Sequence, residues 1–388
     1  MTTIYFRTDG NSNIATGHLM RCLTIARACI QTGQSKGQDV QISFLVSDDQ
    51  SRSLLEDRFE APREFSVYCL NSDYRRMETE VSELLSFITD RAGQEKPWLF
   101  IDSYYASPNY FRRLSGSCKI AYLDDLRSFE CPVDLLINYD TEQDCSHYAG
   151  ASRKLLGPQY TPLRAQFQSP SYNIRPRTEH VLLSTGGTDP YGLAEQLLHA
   201  IYDHTDYPDK KHGNTVASLS SHWDTACLQT LHYHVVTSRA NTRYDILHTL
   251  AMENSHIHIH ENISDMASLM ASCDMAVSAG GTTLSELCAV GVPTISYLMA
   301  DNQRTAVDRF AAEEIIPCAG DIRLSLAQNT GDQTDTSQIS SDAVLSNILR
   351  FMTHMSENVE VRQKSSQQMR AFLDGCGAGR IADALLSF

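Results

Sequence analysis

Short hydrophobic runs alternate along the chain with longer amphipathic segments, and glycine, asparagine, aspartate or proline marks most of the joints. This alternation is typical of a parallel sheet with crossover helices. The runs of the first half predict strands at 4–6, 40–46, 98–101, 120–123 and 135–138. Those of the second half predict strands at 180–184, 233–236, 256–260, 275–277 and 294–297. Helical spacing of apolar residues predicts helices over 19–30 and 74–92.

A segment with four prolines, 158–176, shows little periodicity and predicts a connection between two domains. The 388 residues are enough for two separate cores. We expect a Rossmann-type, doubly wound domain over 1–165 and a second over 166–365, facing each other across a cleft at the carboxyl ends of their sheets. A C-terminal helix over 366–388 is expected to pack back toward the first domain. The polar segment 203–221 is interpreted as a surface insertion.

Composition narrows the function classes. The chain is 42% hydrophobic and 20% charged, which is ordinary for a soluble globular protein. Its formal net charge of -15 argues against nonspecific binding to nucleic acid or to an anionic membrane. Because the chain leads straight into a predicted strand and then Arg7, we expect no secretory leader, and the sequence contains no apolar stretch of bilayer length. The 11 cysteines form no C-x-x-C pair, which indicates free thiols in a reducing cytoplasm.

The segment from Arg7 to Cys22 carries the first candidate site. A strand ends before it, a polar loop follows, and a helix opens near Gly17–His18. The first turn of a helix offers unpaired N–H groups and partial positive charge, which favours a bound anion and a neutral imidazole. A neutral histidine beside a phosphate is suited to activate water. The alternative is that His18 caps the helix or packs on the loop.

Two glycine loops in the second half form a candidate diphosphate site, because bare amides at a helix start bind phosphate oxygens. Glu286 lies one turn into the helix after the second loop, where it can accept hydrogen bonds from ribose hydroxyls. The alternative is a pair of tight turns with Glu286 at the surface. Amides that follow the next strand can also bond to phosphate or sugar. The residues concerned are Gly187, Thr188, Gly280, Gly281, Thr282, Thr283, Asn302 and Gln303.

Three further clusters allow a metal hypothesis. His256, His258 and His260 alternate, so their imidazoles share one strand face. Neutral imidazoles bind zinc, but positions along a single strand rarely converge into a tetrahedron, so we favour buried isoleucines with the histidines nearer solvent. Asp48–Asp49 and Asp124–Asp125 resemble metal carboxylates, yet each also fits the polar end of a strand. We therefore predict no metal site and no cofactor.

Many short motifs, in order and over nearly the whole length, resemble the UDP-2,4-diacetamido-2,4,6-trideoxy-β-L-altropyranose hydrolase family of pseudaminic acid synthesis. Their number and spacing are far more specific than any one of them. The motifs are Arg7-Thr8-Asp9-Gly10, Gly17-His18, Arg21-Cys22-Leu23, Asp102-Ser103-Tyr104, Leu123-Asp124-Asp125-Leu126, Leu156-Gly157-Pro158-Gln159-Tyr160, Leu163-Arg164, Gly186-Gly187-Thr188-Asp189-Pro190, Asp265-Met266, Gly280-Gly281-Thr282-Thr283, Glu286, Asn302-Gln303 and Asp374-Gly375-Cys376-Gly377-Ala378.

The resemblance implies an α/β, GT-B-like fold and cleavage of the C1–O bond, which releases UDP and the free 2,4-diacetamido-2,4,6-trideoxy-L-altrose. If His18 activates water on the face opposite UDP, we expect inversion at C1 and no need for a metal. The resemblance assigns the base role to His18 and nucleotide binding to Gly280, Gly281, Thr282 and Glu286. It places the backbone of Ile263 at the uracil, and Tyr104 and Asn302 near the sugar and diphosphate. Other residues of the same motifs are expected to contact the substrate, namely Arg7, Asp9, Gly17, Arg21, Gly187, Thr188, Thr283 and Gln303.

The expected partner is thus a small UDP-sugar, bound by a cytoplasmic monomer that binds neither nucleic acid nor membrane. Two alternatives stay open. A GT-B glycosyltransferase would use an acceptor hydroxyl in place of water. A noncatalytic protein would bind the nucleotide sugar without turning it over.

Overall fold

The structure is a computed structural model of the chain. It describes residues 1–14, 16–58, 64–91, 93, 95–140, 146–168, 170–202, 226–323 and 341–387, with the side chains of Arg58, Asn302, Ser341 and Asp342 left out. The predicted insertion at 203–221 lies outside the described residues. The chain divides into two compact units: unit 1 comprises Met1–Ala165 and Gly375–Phe388, and unit 2 comprises Gln166–Asp374.

Unit 1 is built on a seven-stranded sheet in the order β3-β2-β1-β4-β5-β6-β7, and every pair in it is parallel. The strands are β1 Thr2–Thr8, β2 Val40–Val46, β3 Ser66–Cys69, β4 Trp98–Asp102, β5 Lys119–Leu123, β6 Leu135–Asn138 and β7 Arg153–Leu156. The α-helices are α1 Gly17–Lys36, α2 Asp49–Ser53, α3 Val81–Asp90 and α4 Pro108–Leu114. A π-helical turn spans Leu54–Arg58, and 3-10 turns span Tyr74–Glu80, Ser146–Tyr148, Pro158–Tyr160 and Ala165–Phe167, of which the last crosses into unit 2.

Unit 2 repeats this plan with a six-stranded parallel sheet in the order β10-β9-β8-β11-β12-β13. The strands are β8 His180–Ser184, β9 His232–Val236, β10 Ile257–His260, β11 Met275–Ala279, β12 Thr294–Leu298 and β13 Cys318–Asp321. The helices are α5 Leu193–Tyr202, α6 Tyr244–Glu253, α7 Met266–Ser272, α8 Thr282–Val290, the 3-10 turn Asp301–Gln303, α9 Arg304–Ala312, α10 Ser341–Glu357 and α11 Val359–Phe372.

The ten predicted strands are all present, with ends that move by one or two residues. The predicted helix over 19–30 is longer at both ends, and the one over 74–92 divides into a 3-10 turn and α3. Three strands were not predicted, β3, β7 and β13, and each lies at the edge of its sheet. An edge strand has one neighbour and less apolar burial, so its sequence carries a weaker hydrophobic signal.

The final helix, α12 Gly377–Leu386, packs on α1 in the core of unit 1. Ile381 and Leu385 of α12 are buried in the same cluster as Leu23 and Ala26 of α1. The segment that returns to unit 1 begins at Gly375, later than the boundary expected at 366, because α11 belongs to unit 2.

Both sheets reverse their strand order at one point, between β1 and β4 in unit 1 and between β8 and β11 in unit 2. In a doubly wound sheet the loops at the carboxyl ends of these two strands diverge and leave a crevice. His18 follows β1, and the glycine loops at 186–188 and 280–281 follow β8 and β11. The fold therefore brings His18 and the two glycine loops to the switch point of their own unit. Among the described helices, none is long and apolar enough to cross a bilayer.

Gly377 is the point where α12 starts against the backbone of unit 1. A Cβ atom placed there would lie 2.1 Å from the carbonyl oxygen of Thr161, whereas one at Gly379 would meet nothing within 4 Å. We predict that Gly377→Ala lowers the free energy of unfolding by about 1–3 kcal/mol, since backbone cannot yield as a side chain does. Gly379→Ala, the control, should leave it unchanged or raise it by up to about 1 kcal/mol. Urea unfolding curves of both variants measure the difference.

Candidate active site

His18 lies in the first turn of α1 and is buried. Its ring does not cap the helix, because its Nδ1 lies 2.6 Å from Oδ1 of Asp102, the last residue of β4. Nη2 of Arg21 also lies 3.0 Å from Nδ1. An ionised carboxylate can only accept, so Nδ1 carries the proton and donates it to Asp102. In the neutral ring Nε2 then keeps a lone pair, and this is the form of histidine that acts as a base.

Arg21, one turn after His18, holds the same carboxylate. Its Nε and Nη2 both donate to Asp102, Nη2 at 2.6 Å from Oδ1, and its Nη1 donates to the hydroxyl of Tyr139 at 2.7 Å. Burial would raise the pKa of Asp102, but Arg21 and His18 outweigh it and hold this pKa well below its ordinary value. Asp102 therefore stays ionised across the physiological range, and a fixed anion orients the imidazole.

The open side of this cluster carries Tyr104 and Asp125. The Tyr104 ring meets the His18 ring edge-on with centroids 4.5 Å apart, and 46% of Tyr104 is exposed. Asp125 Oδ2 lies 2.8 Å from Nη2 of Arg21. Burial raises the pKa of Asp125, and Asp102 adds to that effect while Arg21 opposes it. A base, a phenol and a carboxylate thus lie side by side at the carboxyl edge of the sheet.

Arg7 and Asp9, expected to contact substrate, are buried instead. Arg7 is fully buried, and its guanidinium bonds to both Glu80 oxygens, at 2.7 and 2.9 Å, and to Asp9. The other oxygen of Asp9 accepts from the amide and hydroxyl of Ser47, at 2.6 and 2.8 Å. This network ties the loop after β1 to the loop after β2. In the structure the two residues position the loop that leads to His18.

In unit 2, the loop after β11 requires its first glycine and exposes its second. A Cβ at Gly280 would lie 2.2 Å from Val307, whereas one at Gly281 would meet nothing within 4 Å. Gly281 is the N-cap of α8, and Thr282, its first residue, is exposed. Thr283 is half-buried. The amides of the first turn of α8 thus begin at an open surface, which is the geometry of an anion site.

The loop after β8 lies beside it, because β8 and β11 are neighbours. Gly187 and Thr188 are exposed, and the hydroxyl of Ser238 donates to the Gly187 carbonyl at 2.7 Å. Asp189 faces inward and accepts from the amides of Leu193 and Ala194, both at 3.0 Å, so it caps α5. The exposed part of this loop is therefore its glycine–threonine pair.

The other predicted residues of unit 2 lie at the same edge with different surroundings. Gln303 is buried, and its Oε1 accepts from the amide of Met299 at 3.0 Å, which closes the loop after β12. Glu286 is buried in the second turn of α8. Ile263 is half-buried and follows Asn262, whose φ of 49° turns the chain after β10. Asn302 lies in the turn Asp301–Gln303, and its side chain is outside the described residues.

Sequence reasoning assigned no role to Asp102 or Tyr139, and it grouped Asp125 with Asp124. The signal for Asp102 was present, since it is the polar residue that directly follows the predicted strand 98–101, which corresponds to β4 beside β1. Asp124 accepts from the Tyr148 hydroxyl at 2.8 Å and from two amides of its own turn, as expected of a polar strand end. Asp48 likewise caps α2. Over the described ranges, no group of three or more histidine, cysteine, aspartate or glutamate side chains is placed to hold a metal ion.

Comparison with known proteins agrees with this architecture. The UDP-GlcNAc 2-epimerase of Neisseria meningitidis, solved with UDP-GlcNAc, superposes with a TM-score of 0.60 at 12% identity, covering 100% of each chain. The pneumococcal O-GlcNAc transferase GtfA, solved with UDP and GlcNAc, gives a TM-score of 0.54 at 10% identity over 100% of this chain and 99% of that one. The chain has a GT-B-like fold.

A sequence relative is the spore coat polysaccharide biosynthesis protein SpsG of Bacillus subtilis, 25% identical over 258 residues. The match covers 65% of this chain and 64% of SpsG, so the chain spans less than two thirds of that relative. No protein-family model matches the chain.

The buried Arg7–Glu80 pair yields a stability prediction. Burial would raise the pKa of Glu80, but Arg7 outweighs it and lowers this pKa. The pair therefore stabilises the fold above about pH 4.3, and the stabilisation is lost as the pH falls below that value. We expect Glu80→Gln to lower the free energy of unfolding at pH 7 by about 3 kcal/mol, because it leaves Arg7 buried beside a single carboxylate.

Glu78→Gln is the control for this prediction, since Glu78 lies in the same 3-10 turn but is exposed. Urea unfolding at pH 7 should show a clear loss for the Glu80 variant and almost none for the Glu78 variant. Equal effects of the two substitutions would contradict the structural role given to Arg7.

Proposed function

We propose that this protein is a hydrolase that cleaves the C1–O bond of UDP-2,4-diacetamido-2,4,6-trideoxy-β-L-altropyranose and releases UDP and the free sugar for pseudaminic acid synthesis. The observation that carries the proposal is the contact between His18 and Asp102 at the carboxyl edge of the sheet in unit 1. Nδ1 of His18 lies 2.6 Å from Oδ1 of Asp102. An uncharged imidazole whose second nitrogen is oriented by a carboxylate is what activation of water requires. The family resemblance supplies the particular sugar.

In the proposed reaction a water molecule attacks C1 from the face opposite the diphosphate. Nε2 of His18 takes a proton from that water, and the C1–O bond breaks with its electron pair going to the β-phosphate oxygen. The anomeric carbon is therefore inverted, as in inverting glycoside hydrolysis. Asp102 stabilises the imidazolium that forms, and Arg21 keeps Asp102 ionised. Tyr104 and Asp125 are the neighbours of His18 that we propose contact the sugar.

In the same proposal unit 2 binds the UDP moiety. The N-terminus of α8, where Gly281 and Thr282 are exposed, and the exposed Gly187–Thr188 pair suit the diphosphate. Glu286, in the second turn of α8, is proposed to accept hydrogen bonds from the ribose hydroxyls. The backbone at Ile263 is proposed to contact the uracil. The negative charge that develops on the leaving diphosphate is thus met by backbone dipoles that need no rearrangement.

The compared proteins support a nucleotide-sugar substrate. SpsG is named for polysaccharide biosynthesis, and the two superposed structures contain UDP-GlcNAc, or UDP and GlcNAc. One of these is a transferase, which is why the experiment has to separate water from an acceptor hydroxyl.

The test is incubation with the UDP-linked diacetamido sugar in H₂¹⁸O without any acceptor. A hydrolase releases UDP steadily, places ¹⁸O on C1 of the free sugar and none on UDP, and gives the inverted anomer in the first NMR spectra. UDP release that appears only after a sugar or lipid acceptor is added would establish a transferase. Stoichiometric binding without release under either condition would establish a noncatalytic binding protein.

His18→Asn should lower turnover by roughly 10²–10⁴ because the base is lost, while the affinity for UDP stays the same. His354→Asn is the control, since His354 is exposed on α10 in unit 2. Single-turnover assays and UDP titration calorimetry give the two quantities. Near-normal turnover of the His18 variant would refute the assignment of the base.

Asp102→Asn should lower kcat by about 10²–10⁴ with little change in KM, because an amide can donate to Nδ1 and so favour the wrong tautomer. The fold should survive, since asparagine keeps the shape of the side chain. A raised KM at constant kcat would show instead that Asp102 serves binding, and circular dichroism checks the fold of the variant.

A further inference from the structure

Among the residues that the structure describes, six histidines lie on one face of the sheet in unit 2, across three neighbouring strands. Sequence analysis singled out those of one strand, and the register adds the rest, because it aligns His180 with His232 and His234 with His258. The ring centroids of neighbouring members are 4.6–5.2 Å apart. We call this set the histidine ladder; its members are His180 of β8, His232 and His234 of β9, and His256, His258 and His260 at β10.

Diagonal hydrogen bonds join the rings across the strands. Nδ1 of His180 lies 3.0 Å from Nε2 of His234, and Nδ1 of His234 lies 2.9 Å from Nε2 of His260. A second link joins Nδ1 of His232 to Nε2 of His258 at 3.0 Å. Each contact pairs one ring nitrogen with another, so a bond forms only if one nitrogen of the pair carries a proton and the other does not.

Neutral imidazoles fit this pattern fully. Each has one donor and one acceptor nitrogen, so the chain from His180 through His234 to His260 can be bonded from end to end. One added proton on His234 is tolerated, since both its nitrogens can then donate. Further protons set N–H against N–H at about 3 Å and add like charges roughly 5 Å apart, so the ladder resists uptake of several protons.

Few opposite charges are near to offset such protons. Among the described residues, Glu179 is the carboxylate whose field acts on His232. Asp274 pairs with Arg175 and accepts from two amides, and Asp265 bonds to Ser268. The α7 helix that leads from β10 to β11 has no titratable side chain.

The opposite face of these strands is apolar. Tyr233, Val235 and Ile257 are buried in the main core of unit 2 together with Leu247 of α6. Glu261, the residue after the ladder's last member, lies 3.8 Å from His248 of that same helix. The ladder itself is half-buried at every position, so solvent protons reach it while its rings remain partly desolvated.

We propose that the histidine ladder is an acid-sensitive latch, which joins the side chains of β8, β9 and β10 while its rings are neutral and loosens β9 and β10 when several rings take up protons. The parts of unit 2 that would loosen are the edge of the sheet and the loop 261–265 that follows β10. That loop contains Ile263, so a consequence for nucleotide binding rests on the proposed function, whereas the latch itself does not.

The direction of the pH effect follows from the folded state. Burial and the neighbouring histidines lower the pKa of His232 and of His260, and they lower the pKa of His234 to about 4. The unfolded chain therefore holds more protons than the folded one below about pH 6.5. The latch is fully stabilising above that value, and its stabilisation is lost as the pH falls toward about 4. Opening should grow about tenfold per pH unit for each such proton.

The test is hydrogen exchange of the ligand-free full chain between pH 7.5 and 5. Peptides of unit 1 serve as the internal reference, against which the change of the intrinsic exchange rate with pH is corrected. In the wild type, protection of 232–236 and 257–265 should fall by at least about tenfold per pH unit below pH 6.5. In the double variant His234→Gln/His258→Gln, each of the three hydrogen-bonded pairs has lost one titratable ring. Most of the pH dependence of protection should therefore disappear. His354→Gln on α10 should behave as the wild type.

A wild-type protection that does not change with pH, or a double variant with the same pH dependence as the wild type, would overturn the proposal. If the double variant does not fold, ring ¹⁵N NMR of the wild type decides. Ladder histidines that titrate below about pH 6.5 with broadened curves support the latch, and six independent titrations near the ordinary histidine value refute it. Because no nucleotide is present, neither result depends on the proposed function.

Discussion

The buried carboxylate of Asp102 is the constraint on which the arrangement of unit 1 depends. A lone anion in that position would be costly, and it persists because Arg21 and His18 both donate to it. The same contacts fix the tautomer of His18 and the direction of its second nitrogen. The same hydrogen bonds therefore neutralise the buried charge and orient the candidate base.

The two units apply one topology to two kinds of chemistry. Each has candidate residues at the switch point of a doubly wound sheet, namely His18 and Asp102 in unit 1 and the two glycine loops in unit 2. Unit 1 brings ionisable side chains there. The buried Arg7–Glu80 network fixes the loop after β1 that leads to them. Unit 2 brings backbone amides, exposed because Gly281 leaves the start of α8 uncovered. Side chains suit proton transfer, whereas fixed amides suit an anion that must be held without being protonated.

Burial separates the residues that build these sites from those that are open to a ligand. Asp189 stands in the same motif as the exposed Thr188, yet it bonds to amides that follow its own loop, and Gln303 likewise bonds within its loop. The structure thus divides each motif into a part that sets the loop conformation and a part that faces outward, such as Thr188 and Thr282. The histidine ladder shows the same principle on a sheet face, where half-burial keeps the rings paired but within reach of protons.

The sequence by itself determined the α/β alternation, ten of the strands, the helix start near His18 and the glycine loops, since these follow from local periodicity and from backbone freedom at glycine. It did not determine that Asp102 meets His18 or that Arg7 is buried, nor did it align the histidines of β8 with those of β9. Those facts depend on which strands are neighbours and in what register. Neither is encoded within any one segment, because strand order and register are decided by the packing of the whole sheet.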